Sequence, residues 1–306
     1  MTGGAGFIGS HIVGRLVEEG ETVKVLDNLS TGKKENIDPY KDITFIQGDI
    51  LDEEKVSEAV KGVDYICHIA ALPSVARSVK DPVSTNDINI KGTLNILMAA
   101  RDAGVKRVVF ASSSSVYGDT DVLPKSESML PQPLSPYATS KLTGEHYCRN
   151  FWVNYGLKTV SLRFFNVFGP RQDPNSEYAA VIPKFITTMV KGDKPIIFGD
   201  GTQSRDFTYV QNNVEANLLA CVANGAAGKL FNVACGERIT LNDLVDMLNR
   251  ILGTDIEPIY AKPRQGDVKH SLADVSLAKD ILRYDPKYTF ENGLKNTVEW
   301  FLDSQN

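Results

Sequence analysis

Short apolar runs alternate with longer amphipathic segments along the first half of the chain. The runs are rich in β-branched residues and lie at 21–28, 43–49, 63–70, 106–113 and 158–166. Helical spacing of apolar residues marks the segments at 8–20, 52–61, 81–103 and 136–156. Near-continuous apolar strands that alternate with amphipathic helices predict a parallel sheet covered on both faces. This is a doubly wound α/β domain, predicted over 1–166, whose ligands bind at the carboxyl ends of the strands.

The alternation loosens after residue 166. The stretch "NVFGPRQDPNSEYAAVIP" is polar and contains three prolines. Helical spacing follows at 177–191, 211–224, 240–252 and 290–303, and short strands are predicted near 195–198, 205–210, 229–233 and 256–260. This pattern predicts a smaller mixed α/β domain over 167–306, packed beside the first. Segments near 205–224 are expected to return to the first domain.

Composition narrows the class of protein. The chain has 306 residues, of which 42% are hydrophobic, with a net charge of −5 and no Lys/Arg-rich run, so no nucleic-acid partner is expected. Its longest apolar stretches are too short to span a bilayer. Neither the four cysteines nor the four histidines show metal-ligand spacing, so no metal site is proposed. Cysteines without paired spacing are typical of buried thiols in a reducing compartment, which indicates the cytoplasm.

The chain opens with a glycine-rich loop, "MTGGAGFIGSH". Gly3, Gly6 and Gly9 let a pyrophosphate approach the backbone closely, and the following helix presents its N-terminal amides to the anion. Asp27 ends the next strand, eighteen residues after Gly9, where a carboxylate accepts both ribose hydroxyls. A carboxylate there also repels a 2′-phosphate. The loop therefore predicts a Rossmann domain that binds NAD rather than NADP, although Lys33 and Lys34 lie nearby.

A second carboxylate, Asp49, follows the next predicted strand in "QGDI". At the carboxyl end of that strand it would lie close to the adenine of the dinucleotide. Asp49 also precedes a predicted helix, where an aspartate commonly caps the first backbone amides. The sequence leaves both roles open.

The segment "SPYATSK" carries the candidate chemistry. Tyr137 and Lys141 are four residues apart, so a helix places both side chains on one face. A tyrosine at its ordinary pKa near 10 is a poor base, and a nearby ammonium together with the nicotinamide charge would favour the phenolate. A surface pair is the alternative. The strand "FASSSSVYG" ends at the same crevice, and any serine from Ser112 to Ser115 could relay the proton of a reacting hydroxyl.

Taken together, these motifs resemble the extended short-chain dehydrogenases/reductases, and among them the nucleotide-sugar 4-epimerases. The likeness covers nearly the whole chain and includes "TGGAGFIGSH", "LDNLSTG", "HIAA", "SPYATSK", "RFFNVFGPRQDP", "GDGTQSRDFTYV" and "RQGDVKHSLAD". The resemblance implies Ser113, Tyr137 and Lys141 as catalytic residues. It implies cofactor binding by Gly3, Gly6, Phe7, Ile8, Gly9, Asp27, Asn28, Asp49, Ile50, Ala70, Asn89 and Lys141, with Asn89 supporting the tyrosine–lysine pair.

The same resemblance assigns a substrate site to residues that periodicity could not single out. The sugar is expected at Ser74, Val75, Ser114, Ser115 and Tyr137, the diphosphate at Asn166, Arg205 and Arg264, the ribose and uracil at Asp267, and the uracil ring at Val181, Ile182 and Phe198. Arginine forks suit phosphate oxygens. Taken alone, each arginine would more often form a surface ion pair.

The implied reaction is inversion at carbon 4 of a UDP-hexose through a transient 4-keto sugar, with bound NAD and no net redox change. Related dehydratases carry an acidic pair, and related decarboxylases a glutamate, where this chain has Ser114 and Ser115. Dehydration or decarboxylation is therefore the alternative reaction. A non-catalytic NAD-binding sensor is the alternative of another class, and such proteins are expected to lose the tyrosine, the lysine or the arginines.

The preferred sugar depends on one small residue. In the family, the position four residues after the aspartate of R-x-G-D lies beside the sugar's 2-substituent, and here it is Ser271, which leaves room for an N-acetyl group. The segment 71–82 also resembles the N-acetylhexosamine epimerases. UDP-N-acetylglucosamine and UDP-N-acetylgalactosamine are the predicted pair, with UDP-glucose and UDP-galactose as further candidates. The alternative is that Ser271 is merely a small residue near a helix start.

The resemblance carries two further expectations. A homodimer is expected, in which helices at 81–103 and 136–156 pair across a two-fold axis. In relatives, four or five apolar residues precede the threonine of the loop as the central strand, and Met1 stands where valine is usual. We hypothesise that the natural chain starts upstream. A chain starting at Met1 would be expected to hold its cofactor weakly and to leave a gap in the sheet.

Overall fold

The computed structural model describes residues 1–174, 180–263 and 269–304, so Arg264 and Asp267 lie outside the described residues. The α-helices are α1 (Phe7–Glu18), α2 (Glu53–Val60), α3 (Val75–Lys80), α4 (Pro82–Asn86), α5 (Gly92–Asp102), α6 (Pro136–Tyr155), α7 (Val181–Val190), α8 (Val210–Val222), α9 (Leu241–Leu252) and α10 (Phe290–Asp303). In the described part of the chain, no helix has the length and apolar character needed to cross a membrane.

The strands fall where the apolar runs predict them, with additional short ones. They are β1 (Val23–Asp27), β2 (Ile43–Gln47), β3 (Tyr65–His68), β4 (Arg107–Ser113), β5 (Thr159–Phe164), β6 (Val167–Phe168), β7 (Ile196–Phe198), β8 (Ser204–Arg205), β9 (Thr208–Tyr209), β10 (Lys229–Val233), β11 (Ile239–Thr240) and β12 (Ile259–Ala261). Every residue of β5 is buried, as expected of a strand in a sheet covered on both faces.

The central sheet is parallel and confirms the predicted doubly wound Rossmann fold. One part has the order β10-β5-β4-β3, and β1 pairs with β2 in the other. Thr2 joins the two parts, because it bridges Leu26 of β1 and His68 of β3. The Thr2 amide donates to the Cys67 carbonyl at 3.1 Å. The position expected for the central strand is thus held by the two residues before the glycine loop.

The second half is less regular than its pattern predicts. The strand predicted at 205–210 is two short strands, β8 and β9, which pair with β11 and β6 respectively. Asp206, between them, is buried and accepts backbone N–H groups from Cys235, Gly236 and Ala273. These bonds fix Asp206 between the two strands, which alternation of residue types does not reveal.

The strand predicted at 229–233 also has a different place. It is β10, which pairs in parallel with β5 and so belongs to the central sheet. The predicted return of segments near 205–224 did not mention this strand. The division of the chain at residue 166 stays a prediction.

The helix predicted at 81–103 is interrupted. It consists of α4, a π-helical turn over Asp87–Lys91, and α5. The turn places Asn89 in the interior, where it is 2% exposed. Such π-turns are often found at functional sites.

Candidate active site

A cavity of about 350 Å³ opens at the carboxyl ends of the central strands. It is lined by the catalytic candidates Ser113, Tyr137 and Lys141. It also brings together the predicted cofactor residues Gly3, Gly6, Phe7, Ile8, Gly9, Asp27, Asn28, Asp49, Ile50 and Ala70. These residues come from six separate stretches of sequence, and most of them meet here because parallel strands end at one edge of a sheet. We refer to it as the first cavity.

The glycine loop is shaped by close backbone contacts. Gly3 has φ +69°, and a Cβ there would lie 2.7 Å from the Ala70 nitrogen. A Cβ on Gly9 would lie 2.0 Å from the Gly3 carbonyl oxygen, so the start of α1 packs directly on the loop. Among the described residues, no side chain caps α1. Its first-turn amides therefore remain available to an anion such as a pyrophosphate.

Asp27 has the environment expected of a ribose ligand. Its Oδ2 accepts from the Ala5 amide at 2.9 Å and its Oδ1 from the Leu29 amide at 2.8 Å. An ionised carboxylate has about four acceptor sites, so both oxygens retain capacity for hydroxyl groups. The glycine loop, the uncapped helix and this carboxylate together fit NAD.

The two roles left open for Asp49 are separated by the structure. Asp49 Oδ2 accepts from Asn28 Nδ2 at 2.7 Å, and Asp49 Oδ1 accepts from the Leu51 amide at 2.8 Å. The helix cap is Asp52, whose side chain accepts from the amides of Glu54 and Lys55. The interpretation of Asp49 as the N-cap of α2 is therefore wrong, and Asp49 lines the first cavity instead.

Lys141 is held inside the protein by helix α6. It is 4% exposed, and its Nζ donates to the Ala111 carbonyl at 2.8 Å. The same Nζ lies 5.8 Å from the ring centroid of Tyr137 and 5.1 Å from that of Phe110. Burial lowers the pKa of Lys141 to about 8. The ammonium is thus a desolvated charge on the same helix face as Tyr137.

Tyr137 departs from one expectation. Burial raises the pKa of its phenol, while a hydrogen bond with Ser113 acts in the opposite direction. The protein on its own therefore does not bring the pKa of Tyr137 below its usual value, because burial penalises the phenolate more than its neighbours stabilise it. The predicted shift toward the phenolate requires the additional positive charge of a bound nicotinamide.

The four serines have different surroundings in the structure. Ser113 lines the first cavity with Tyr137, and its hydroxyl acts to lower the pKa of the Tyr137 phenol. Ser112 Oγ instead donates to Glu145 Oε1 at 2.5 Å. Ser114 begins a 3-10 turn that ends at Tyr117. The sequence alone does not distinguish these hydroxyls, because the four residues are identical. Their neighbours in the fold do distinguish them.

Asn89 supports the first cavity from behind its wall. Its Oδ1 accepts from the Leu72 amide at 2.7 Å, and its Nδ2 donates to the Leu72 carbonyl and to Ser140 Oγ, both at 3.1 Å. Leu72 lines the cavity and Ser140 is the neighbour of Lys141. Asn89 thus fixes a wall residue and the helix that carries the tyrosine–lysine pair.

A second, larger cavity of about 1080 Å³ adjoins the first. Asn166 and Val167 line both cavities. Its lining includes the predicted substrate residues Asn166, Val181, Ile182, Phe198 and Arg205. Arg205 Nη1 donates to the carbonyls of Ser204 and Lys269, which fixes the guanidinium at the cavity wall.

Five predicted sugar-site residues line neither cavity in the described part of the chain: Ser74, Val75, Ser114, Ser115 and Ser271. Ser74 Oγ caps α3 by accepting from the Arg77 amide, and Val75 is half-exposed. Ser271 is buried, and its amide donates to the Ser204 carbonyl at 3.0 Å. Ser115 Oγ is buried and has no hydrogen-bond partner among the described residues.

Some lining residues were missed by the sequence prediction. Lys184, Asp200, Tyr260 and Lys269 contribute to the second cavity. Lys184 is three residues beyond Val181 on α7, so helical spacing could have suggested it. The other three come from segments far apart in sequence, and no periodicity links them.

Comparison with known proteins identifies the family. The model of the NAD dependent epimerase/dehydratase family matches residues 1–234. The chain belongs to this family. It is 44% identical to the UDP-N-acetylglucosamine 4-epimerase of Methanobrevibacter ruminantium, solved in complex with UDP-N-acetylmuramic acid, with a TM-score of 0.95 over 99% of this chain and 97% of that one.

Two further family members cover the whole length. The Thermotoga maritima UDP-glucose 4-epimerase, solved with UDP-glucose, is 42% identical, with a TM-score of 0.95 over 100% of this chain and 98% of that one. The UDP-glucose 4-epimerase of Mycolicibacterium smegmatis is 38% identical over 98% of this chain and 97% of its own. The shared fold therefore extends over both cavities.

Proposed function

We propose that this protein is an NAD-dependent isomerase that inverts carbon 4 of a UDP-hexose. One observation carries the proposal: Tyr137, Lys141 and Ser113 line a dinucleotide-type cavity that shares Asn166 with a second cavity containing Arg205. A sugar attached to a diphosphate held at Arg205 would extend toward Tyr137. The epimerases of Thermotoga maritima and Methanobrevibacter ruminantium support the same reaction.

The residues of this chain divide the chemistry between them. When bound, NAD supplies reversible hydride transfer at carbon 4. Tyr137 takes the proton of the 4-hydroxyl and later returns it, with Ser113 as its hydrogen-bonded relay. Lys141 places a positive charge beside the phenol ring, which stabilises the phenolate. Arg205 and Asn166 hold the nucleotide while the keto sugar turns, so the intermediate stays bound.

The residues after Ser113 favour epimerisation over the related reactions. Dehydration across carbons 5 and 6 needs an additional acid and base, and decarboxylation in related enzymes uses a glutamate at this point. Ser114 and Ser115 do not ionise at neutral pH.

We propose an N-acetylated sugar as the preferred substrate. Ser271 is small and lies beside Ser204, next to Arg205, and the Methanobrevibacter relative acts on UDP-N-acetylglucosamine. The Thermotoga relative was solved with UDP-glucose, which makes UDP-glucose and UDP-galactose the second candidate pair.

The test is direct conversion of UDP-N-acetylglucosamine. Purified protein with NAD is incubated with this sugar or with UDP-glucose, and each 4-epimer is separated by chromatography. Formation of UDP-N-acetylgalactosamine supports the proposal. Turnover of UDP-glucose alone contradicts the substrate assignment, and a 6-deoxy-4-keto product or carbon dioxide contradicts the reaction.

We further propose that the protein works as a homodimer in the cytoplasm. Exposed apolar side chains lie on both expected dimer helices, Val83 on α4 and Val153 on α6, and a groove of about 700 Å³ separates Val83 from Leu134. The four cysteines are free thiols, which suits a reducing compartment. Light scattering of the purified protein tests the dimer: a monomer at micromolar concentration contradicts it.

A further inference from the structure

A buried ion pair lies directly behind the candidate catalytic residues. Arg163 donates from Nε to Glu145 Oε1 at 2.8 Å and from Nη2 to Glu145 Oε2 at 2.7 Å. The two side chains are 1% and 4% exposed. Ser112 Oγ adds a third hydrogen bond to the same carboxylate. A buried charge needs such partners, and here they come from the two strands β4 and β5.

Helical spacing makes Lys141 a second candidate partner for Glu145. Tyr137, Lys141 and Glu145 follow one another at four-residue intervals on α6, so one helix face carries all three. A carboxylate one turn beyond a lysine is a common ion-pair partner. In the structure, however, Lys141 Nζ donates to the Ala111 carbonyl and remains close to the Tyr137 ring.

Among the described residues, two further titratable groups near Lys141 carry no charge at neutral pH. Burial raises the pKa of Cys148 on α6 to about 12, so the thiol stays protonated. Burial, together with the charge of Lys141, lowers the pKa of His68 on β3 to about 3, so the imidazole stays neutral. Besides Tyr137, this leaves the Glu145 carboxylate and its Arg163 partner from β5. Glu145 is thus the acid whose charge could draw the ammonium away.

We infer that Arg163 is a positioning residue for the proposed reaction: it holds Glu145, and thereby leaves the ammonium of Lys141 directed at Tyr137. The inference rests on the proposed function, in which Tyr137 is the acid–base group. An ammonium that pairs with a carboxylate stabilises a neighbouring phenolate less. Arg163 therefore acts through Lys141 and does not touch the substrate.

The test measures the pKa of the Tyr137 phenol by near-ultraviolet absorbance titration of the NAD-loaded protein, in which the nicotinamide charge is expected to bring this pKa below that of Lys141. Each variant is read against the same variant carrying Tyr137→Phe. In Arg163→Met, the pKa of Tyr137 is expected to rise by about one unit, because Glu145 becomes free to pair with Lys141. The double variant Glu145→Gln/Arg163→Met is expected to return to the wild-type value. An unmoved pKa in the single variant, or no return in the double, overturns the inference.

Turnover gives a second measurement. The kcat of Arg163→Met is expected to fall about tenfold with KM unchanged, and the double variant is expected to recover it. If Arg163 had a purely structural role, the kcat of the double variant would not recover and would fall further, since the double variant lacks the whole ion pair. The wild type is assayed first: failure to convert any UDP-hexose overturns the proposed function, whereas an active wild type with an unmoved Tyr137 pKa overturns only the inference.

A milder variant covers the case in which Arg163→Met does not fold. Ser112→Ala removes one of the three hydrogen bonds to Glu145 and keeps the ion pair. The pKa of Tyr137 is then expected to rise in the same direction by a smaller amount. A folded Ser112→Ala protein with the wild-type Tyr137 pKa contradicts the inference.

Discussion

The two cavities are built in different ways. The first lies where parallel strands end, and its predicted residues lie at or just after the ends of β1, β2, β3 and β4, at the start of α1, and on α6. The second is lined by loops, by the start of α7 and by the short strands β7, β8 and β12. Strand ends are fixed by the register of the sheet, whereas loops depend on particular side-chain bonds. This difference explains why one cavity follows from sequence pattern and the other does not.

The largest expected effect lies in the first cavity. Tyr137→Phe removes the acid–base group, and kcat for the UDP-hexose is expected to fall about 10³-fold. NAD content and thermal stability should stay at wild-type levels, because the ring and its packing remain. Turnover and bound NAD are measured together. Tyr147→Phe on the same helix is the matched control, and equal losses in both variants would remove Tyr137 from its role.

Lowering the pH is expected to reduce the stability of the fold around His68, next to the first cavity. His68 accepts from Thr2 Oγ1 (2.7 Å) and donates to Thr93 (3.0 Å), and burial lowers its pKa from 6.5 to about 3. The unfolded chain binds this proton more readily, so stability present above pH 6.5 is lost as the pH falls toward 3. Between pH 7 and pH 4 the loss is about 3 kcal/mol.

Urea unfolding across this pH range checks the assignment. In His68→Gln the loss of stability between pH 7 and pH 4 should be smaller than in the wild type. His146→Gln, at an exposed position of α6, serves as the control. A wild-type pH dependence in His68→Gln would show that other groups are responsible.

The second cavity has its own sensitive residue. Arg205→Met is expected to raise KM for the UDP-sugar by about 10- to 100-fold, since a charge-assisted hydrogen bond contributes about 1.5–3 kcal/mol. NAD content should not change, because Arg205 does not line the first cavity. Steady-state kinetics and cofactor analysis measure both, with Arg250→Met at an exposed position of α9 as the control. Loss of NAD in Arg205→Met would mean that the two cavities are not separable.

The smallest expected effect concerns the identity of the sugar. Ser271→Tyr should lower kcat/KM for UDP-N-acetylglucosamine about tenfold, because a bulky ring competes with the N-acetyl group for space. UDP-glucose should be affected less. The ratio of the two kcat/KM values is the measurement. Equal losses for both sugars would show that Ser271 does not discriminate between them.

The elements that position the first cavity could be predicted from the sequence, because the patterns that mark them are local. A glycine loop before a helix and an aspartate at a strand end depend on residues close in sequence. Asp206 shows the limit: its carboxylate is satisfied by amides at 235, 236 and 273. Glu145 was missed although it continues the spacing of Tyr137 and Lys141, since only the fold reveals Arg163 as its partner.

The central claim is that carbon 4 loses and regains the same hydride while the sugar stays bound. UDP-N-acetylglucosamine deuterated at carbon 4 tests this claim most directly. After incubation with the NAD-loaded protein, nuclear magnetic resonance should show the 4-epimer with deuterium retained at carbon 4. Absence of the 4-epimer, or its formation with hydrogen from solvent at that carbon, would contradict the account.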